Sequence, residues 1–310
     1  MSQRVRKIII SGLDNAGKTS ILTALDKKFD FQNEIMELKP TIKVEYHRTN
    51  FLGNDCVFWD MGGQKPYRQL YQQRDYIYFA DTDLLVYVID IQDRARFEES
   101  LEYLKVILEY FVKNDMDVPI IVDFHKYDPE IRDYPELNED VSKLKEYIGD
   151  KYPSFKILYQ QTSIYDIISI VQLISYGLSI FDEKFFELSL LLEKYLVEFN
   201  CASLILFDKN GIIISEFYQE EIDPDSYVEL LRLIKEHLFL LKRMQEENYE
   251  EKYNITNLEN NMLSYLYKLD LGKETFFVSV QIEEGSINTL LEKFSDFLAE
   301  LTGVIAAIIS

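Results

Sequence analysis

Cysteine is nearly absent. Cys56 and Cys201 are the only two in 310 residues, both in apolar, strand-like runs and in no CxxC or Cys/His spacing. This leaves no disulfide framework and no thiolate metal site, and reads as buried reduced thiols in a cytosolic chain. Positive charge is also scarce: 33 Lys and Arg against 54 Asp and Glu leave a net charge of −21. A basic face for DNA or RNA is excluded, as is an electrostatic grip on anionic lipid. Anionic nucleotide is not excluded, because a local nest of backbone N–H groups outweighs a distant mean field. No apolar run reaches membrane-spanning length. MSQRVRK leads straight into a short apolar strand, position 2 is Ser, and the terminal IAAIIS holds no prenylation cysteine. The expectation is therefore a cytoplasmic protein without signal peptide or direct membrane anchor, reaching a membrane only through a partner and binding no nucleic acid.

What is present is a strand–helix alternation. RKIII (6–10) is a continuous apolar run, as expected of a strand buried on both faces, and an apolar-periodic helix follows from Lys18 to Phe29. TIKVEYHRTNF and DCVFWD form a hairpin across LGND; DLLVYVID (83–90), VPIIVDF (118–124) and FKILYQ (155–160) are further strands. Helices are expected at 94–113, 138–148 and 164–181. Repeated β-α units with one hairpin imply a doubly wound, mostly parallel sheet, hence an α/β domain over residues 1–181. The rhythm then changes. An amphipathic helix (181–199) precedes a hairpin across KNG, a long helix from Pro224 to Met244, a polar and weakly patterned loop or frayed helix end (245–261), a second hairpin (262–282) and a last helix from Ser286 to Leu301 or the end. That order, α-β-β-α-β-β-α, implies a second, α+β domain with an antiparallel sheet over 182–310.

GLDNAGKT (12–19) fits GxxxxGK[ST] between a strand and a helix, the context that pattern demands. Chance gives the pattern in roughly one chain of this length in a hundred. Backbone N–H groups of Asp14, Asn15, Ala16, Gly17, Lys18, Thr19 and Ser20 would surround a β-phosphate, with Lys18 reaching the β- and γ-phosphates and the Thr19 hydroxyl ligating Mg²⁺. WDMGGQ (59–64) ends a strand. Asp60 would hold Mg²⁺ through its water shell, the Gly63 N–H would meet the γ-phosphate, and Gln64 would orient the attacking water as the catalytic residue. Thr41, in KPTIKVE, is the candidate second Mg²⁺ ligand, with helix N-capping as its ordinary alternative.

FHKYD (124–128) and TSIYD (162–166) each follow a strand. Asp128 can accept from both N1–H and the N2 amine of guanine, a donor pair that adenine lacks, so GTP/GDP is expected over ATP. The Lys126 stem can lie along the base, and the Ile164 N–H, next to Ser163, would meet guanine O6. His125 stands where this motif usually has Asn. Arg68 and Arg74 follow Gln64 and read as salt-bridged or solvated residues of a switch helix. His47 shows no partner pattern.

GLDNAGKT and WDMGGQ resemble the Arf-like small GTPases, whereas HKYD, TSIYD and the run from 162 through FDEKFFELSLLLEKYLVEFNCASLILFDKNG resemble the Rag/Gtr GTPases, in which HKxD is usual. The resemblance implies a P-loop GTPase domain followed by a roadblock/longin-like domain, slow GTP hydrolysis with Mg²⁺, and homo- or heterodimerisation through the C-terminal domain. It also implies roadblock- or longin-type partners, together with GTPase-activating and exchange factors. Two other readings stay open: an Arf-like trafficking GTPase with an unrelated appendage, and a nucleotide-bound scaffold whose C-terminal domain does the recruiting.

Overall fold

The computed structural model describes residues 5–27, 40–51, 54–166, 169–170, 172–173, 176–177, 184–208, 213–219, 252–258, 261–272 and 274–309. The chain divides into two compact units, Met1–Gly177 and Leu178–Ser310.

In the first unit, β1 (Arg6–Gly12) is the pivot of a six-stranded sheet. The other strands are β2 (Val44–Phe51), β3 (Asn54–Met61), β4 (Leu84–Asp90), β5 (Ile120–His125) and β6 (Ile157–Thr162), in the order β2-β3-β1-β4-β5-β6. Only the β2–β3 pairing is antiparallel; β1 pairs in parallel with β3 on one side and β4 on the other. A strand so placed is covered on both faces, which is why its run is apolar throughout: Ile8, Ile9 and Ile10 are fully buried. The strand order reverses at β1, so the carboxyl ends of β1, β3 and β4 open on one crevice, the usual ligand position in a doubly wound sheet.

Helices α1 (Lys18–Lys27), α2 (Lys65–Gln73), α3 (Asp75–Tyr78), α4 (Phe97–Lys113) and α5 (Pro135–Lys151) complete the described part of this unit. Leu104 and Ile107 of α4 and Val141 and Leu144 of α5 share one core with Ile9, Val122 and Phe124 of the sheet. The helix expected at 138–148 is longer because Pro135, with its fixed φ and missing N–H, suits the first turn. On β3, Trp59 packs edge-on against Tyr46, ring centroids 4.9 Å apart, and Lys7 Nζ sits 4.0 Å over its ring. The hairpin tip at Leu52 and Gly53 and part of the helix expected over 164–181 lie outside the described residues.

The second unit is built on an antiparallel sheet in the order β8-β7-β11-β10-β9. Its strands are β7 (Ser203–Asp208), β8 (Ile213–Tyr218), β9 (Tyr253–Asn257), β10 (Met262–Leu271) and β11 (Glu274–Glu283). Helices α6 (Lys184–Phe199) and α7 (Ile287–Ile309) contribute Tyr195 and Phe297, 4.9 Å apart, and Phe294, 4.9 Å from Tyr265 of β10. One expectation is corrected: Tyr253–Asn257 lies in the segment read as a polar loop, yet it forms the outer strand beside β10. Outer strands bury little, so YNITN lacks the apolar face that marks a strand, and its Tyr253 ring finds its partner, Tyr265, across the ladder. The helix expected from Pro224 to Met244 and the KNG turn lie outside the described residues. Among the described residues no helix is long and apolar enough to cross a membrane.

Candidate functional site

The loop between β1 and α1 is shaped by one steric constraint. Gly17 has φ +97, and a Cβ there would lie 2.3 Å from His125 Cδ2 and 2.6 Å from Nε2. The end of β5 thus places the buried His125 ring directly beneath the loop, leaving room for no side chain at Gly17. Lys18 is only 5% exposed, and its Nζ donates to the Leu13 carbonyl at 2.7 Å. Burial pushes its ammonium down to about 8, with Asp60 and Asp14 opposing.

Three oxygens converge beside Lys18. Thr19 Oγ1 donates to Asp60 Oδ2 at 2.5 Å, lies 2.7 Å from Thr41 Oγ1, and Thr41 Oγ1 donates to the same carboxylate oxygen at 3.2 Å. Asp60 is fully buried, yet its Oδ1 has no hydrogen-bond partner among the described residues. A buried carboxylate with a spare oxygen beside two hydroxyls is an all-oxygen donor set, which suits a hard divalent cation. Glu45 and His47, neighbours on β2, each bring a donor atom to within 4.8 Å of the Asp60 carboxylate, a grouping that sequence spacing does not show.

Asp14, Asn15, Gly17, Lys18, Thr19, Ser20, Thr41, Gly63 and Gln64, with Pro40, line one cleft. Ala16 lies behind it, 2% exposed. Gly63 packs so tightly on the loop that a Cβ would sit 2.2 Å from both Asp14 N and Leu13 C. Gln64 caps α2, its carbonyl accepting from the Tyr67 and Arg68 amides.

Two arginines join this segment to the loop. Arg68 donates from Nε to the Gly63 carbonyl at 2.7 Å and pairs with Glu99. Glu99 also accepts from Arg96 Nε at 3.2 Å, while Arg96 Nη2 donates to Asp14 Oδ1 at 2.7 Å. Burial opposes ionisation of Asp14, but the Arg96 contact outweighs it and holds the carboxyl below its ordinary value. Sequence reading passed over Arg96 and Glu99, which no local pattern connects to a loop some eighty positions earlier.

At the far end of the crevice, Asp128 Oδ1 accepts from Ser163 Oγ at 2.5 Å and Oδ2 from Gln92 Nε2 at 2.8 Å. Lys126 Nζ pairs with Asp90 at 2.7 Å. The turn carrying Ile164 is fixed by Ser163 N–H to Ser169 Oγ at 3.0 Å and Tyr165 N–H to Ser163 Oγ at 3.1 Å. Arg132 ties the two loops, donating to the Tyr127 carbonyl and to Asp166 Oδ2 at 2.5 Å. Gln92 and Arg132 were also missed by sequence reading.

Comparison with known proteins follows the same lines. Residues 1–147 match the family model described as the ADP-ribosylation factor family. ADP-ribosylation factor-like protein 3 of Chlamydomonas reinhardtii is 36% identical over 122 residues, 39% of this chain and 63% of that protein. ADP-ribosylation factor-like protein 2 of Drosophila melanogaster is 37% identical over 107 residues, 34% of this chain and 53% of that protein. The chain thus spans about half to somewhat under two thirds of these relatives' lengths. A solved structure, the Arl6 BBS3 small GTPase from Trypanosoma brucei with bound nucleotide analogue GppNp, aligns over 57% of this chain and 97% of its own at 18% identity and a TM-score of 0.46. Residues 1–147 of the first unit are thus similar to the ADP-ribosylation factor family, the unit has the P-loop GTPase fold, and an antiparallel-sheet unit follows it.

Proposed function

We propose that this protein is a guanine-nucleotide-dependent switch that binds GTP or GDP with Mg²⁺ and hydrolyses GTP slowly. The observation carrying this reading is the convergence of Thr19, Thr41 and Asp60 beside Lys18, with Gly63 and Gln64 closing the same cleft. Thr19 and Thr41 would hold Mg²⁺ directly and Asp60 through water; when bound, the ion neutralises charge on the β- and γ-phosphate oxygens. Lys18 meets the same oxygens, the loop amides orient them, Gln64 orients the attacking water, and Asp128 with Ile164 reads the base. Both arginines beside the cleft are committed to Gly63, Glu99 and Asp14, which favours transition-state charge being supplied by a partner. A rate near 10⁻⁴ s⁻¹ for the protein alone is then expected.

The Arf-family match over the first unit favours an Arf-like nucleotide domain. The antiparallel sheet flanked by α6 and α7 is compatible with a roadblock-type dimerisation unit, bounded near residue 181, as in Rag-like proteins in the cytoplasm. The test is to denature the purified protein, identify the released nucleotide by chromatography and weigh the native complex in the same sample. One GDP or GTP per chain in a particle of twice the chain mass supports both halves. A monomer carrying guanine nucleotide removes the dimer, and no nucleotide, with none taken up in Mg²⁺, overturns the reading.

Two results are expected from the site. Gln64→Leu should lower single-turnover hydrolysis by about a hundredfold or more while GTP affinity holds; unchanged hydrolysis rejects Gln64 as the water-orienting residue. Burial brings Lys18 down to about 8, and a phosphate contact favours the charged form. Binding at pH 8.5 should therefore take up protons and at pH 7 should not, so affinity falls as pH rises through about 8. Calorimetry in two buffers of different ionisation enthalpy reads this, and no uptake at pH 8.5 rejects it.

A further inference from the structure

Asp123 sits in the middle of β5, fully buried, where no step assigned above uses it. A carboxyl in that place is costly unless a partner compensates it. It lies two residues before His125 and so shares its face of the strand, while Thr162 stands opposite His125 across the β5–β6 ladder. Thr162 Oγ1 is 2.8 Å from Asp123 Oδ1, 2.9 Å from Oδ2 and 2.7 Å from His125 Nδ1. The carboxylate and the ring do not meet directly, being 3.9 Å apart. Thr162 is the bridge, and beyond the ring lies Gly17.

We propose that Asp123 and Thr162 are positioning residues of the nucleotide site, forming with His125 a buried relay that holds the imidazole in its Nε2–H tautomer beneath the phosphate loop. The proposal rests on the nucleotide reading given above.

The hydroxyl of Thr162 has one proton, so the relay has two arrangements. With Asp123 ionised, that proton goes to the carboxylate, His125 Nδ1–H donates to Thr162, and Nε2 presents a lone pair. With Asp123 neutral, the acid proton goes to Thr162, the hydroxyl donates to Nδ1, and the ring proton stays on Nε2. Burial favours the second arrangement, pushing Asp123 up to about 8 against the Thr162 contact. Burial, and then the Lys126 charge, push His125 down to about 3, so the ring is neutral and carries one N–H. Lys126 is itself paired with Asp90 at 2.7 Å, and among the described residues the Thr162 contact is what acts on Asp123 besides burial. A loop whose N–H groups converge on phosphate turns carbonyls the other way, and a donor edge beneath it complements them.

The test is ¹⁵N NMR of histidine-labelled protein, empty and nucleotide-loaded, alongside dissociation of fluorescent GDP. At pH 7 His125 should be Nε2–H. Asp123→Asn, whose amide can still donate to Thr162, and Thr162→Ser should keep the tautomer and hold dissociation within about twofold. Thr162→Val should lose the tautomer preference and release GDP about tenfold faster, the size of one buried hydrogen bond. Above pH 8 the wild type should drift to Nδ1–H and release faster, while Asp123→Asn stays flat. A wild-type ring protonated at Nδ1 at pH 7, or Thr162→Ser as damaging as Thr162→Val, overturns the relay. Failure to bind guanine nucleotide would refute the preceding reading instead, and the tautomer would still decide this one.

Discussion

Asp128→Asn is expected to weaken GTP by about two to four orders of magnitude and to favour xanthosine triphosphate in its place. The Asp128 carboxylate has both oxygens positioned by neighbours, Ser163 on one and Gln92 on the other, so its plane is set before a ligand arrives. Each oxygen keeps a further lone pair for the N1–H and N2 amine of guanine. Two hydrogen bonds to a charged acceptor contribute about 1.5–3 kcal/mol each, and 1.4 kcal/mol is a factor of ten, which gives the range. An amide in the carboxylate's place turns an N–H toward guanine N1–H, whereas xanthine offers a C2 carbonyl to receive it. Competition of GTP and xanthosine triphosphate against a fluorescent nucleotide measures the change. A variant that still prefers GTP would mean that Asp128 does not read the base.

Gly63→Ala is expected to lower GTP hydrolysis about a hundredfold and leave GDP affinity within a few-fold. The added Cβ would meet the Asp14 nitrogen and Leu13 carbonyl carbon at 2.2 Å, and both are backbone atoms, which give way less readily than the end of a flexible side chain. The switch segment must therefore withdraw, carrying Gln64 with it and breaking the Arg68 hold on the Gly63 carbonyl. A displacement of about 1 Å at a reacting group costs roughly a hundredfold. In the proposed site GDP would be held by the loop, Lys18 and Asp128, which do not belong to the displaced segment. Single-turnover hydrolysis with parallel GDP titration separates the two; equal losses in both would place the damage in the loop itself.

The first unit was readable in the sequence because its signals are local. RKIII announces a strand covered on both faces, GLDNAGKT names its own flanks, Asp60 sits at the end of β3, and Asp128 follows the end of β5 in the next loop. What could not be read are contacts whose partners lie far apart in the chain. Arg96 reaches Asp14 only because α4 starts beside the loop. His125 falls in a motif expected to read the base, yet its ring lies under Gly17, where the end of β5 meets the loop. β9 escaped notice for the opposite reason: as an outer strand it needs no apolar face, and its Tyr253 is 52% exposed.

Trp59 is the only tryptophan among 22 tyrosines and 20 phenylalanines. It precedes Asp60 on β3, edge-on to Tyr46 and beneath the Lys7 ammonium. An indole in contact with a charged amine and a second ring has an emission set by both neighbours. Excitation at wavelengths where tyrosine no longer absorbs therefore illuminates one point of the molecule, the hairpin that leads into Gly63 and Gln64. The protein carries its own optical reporter of that hairpin, with no label attached.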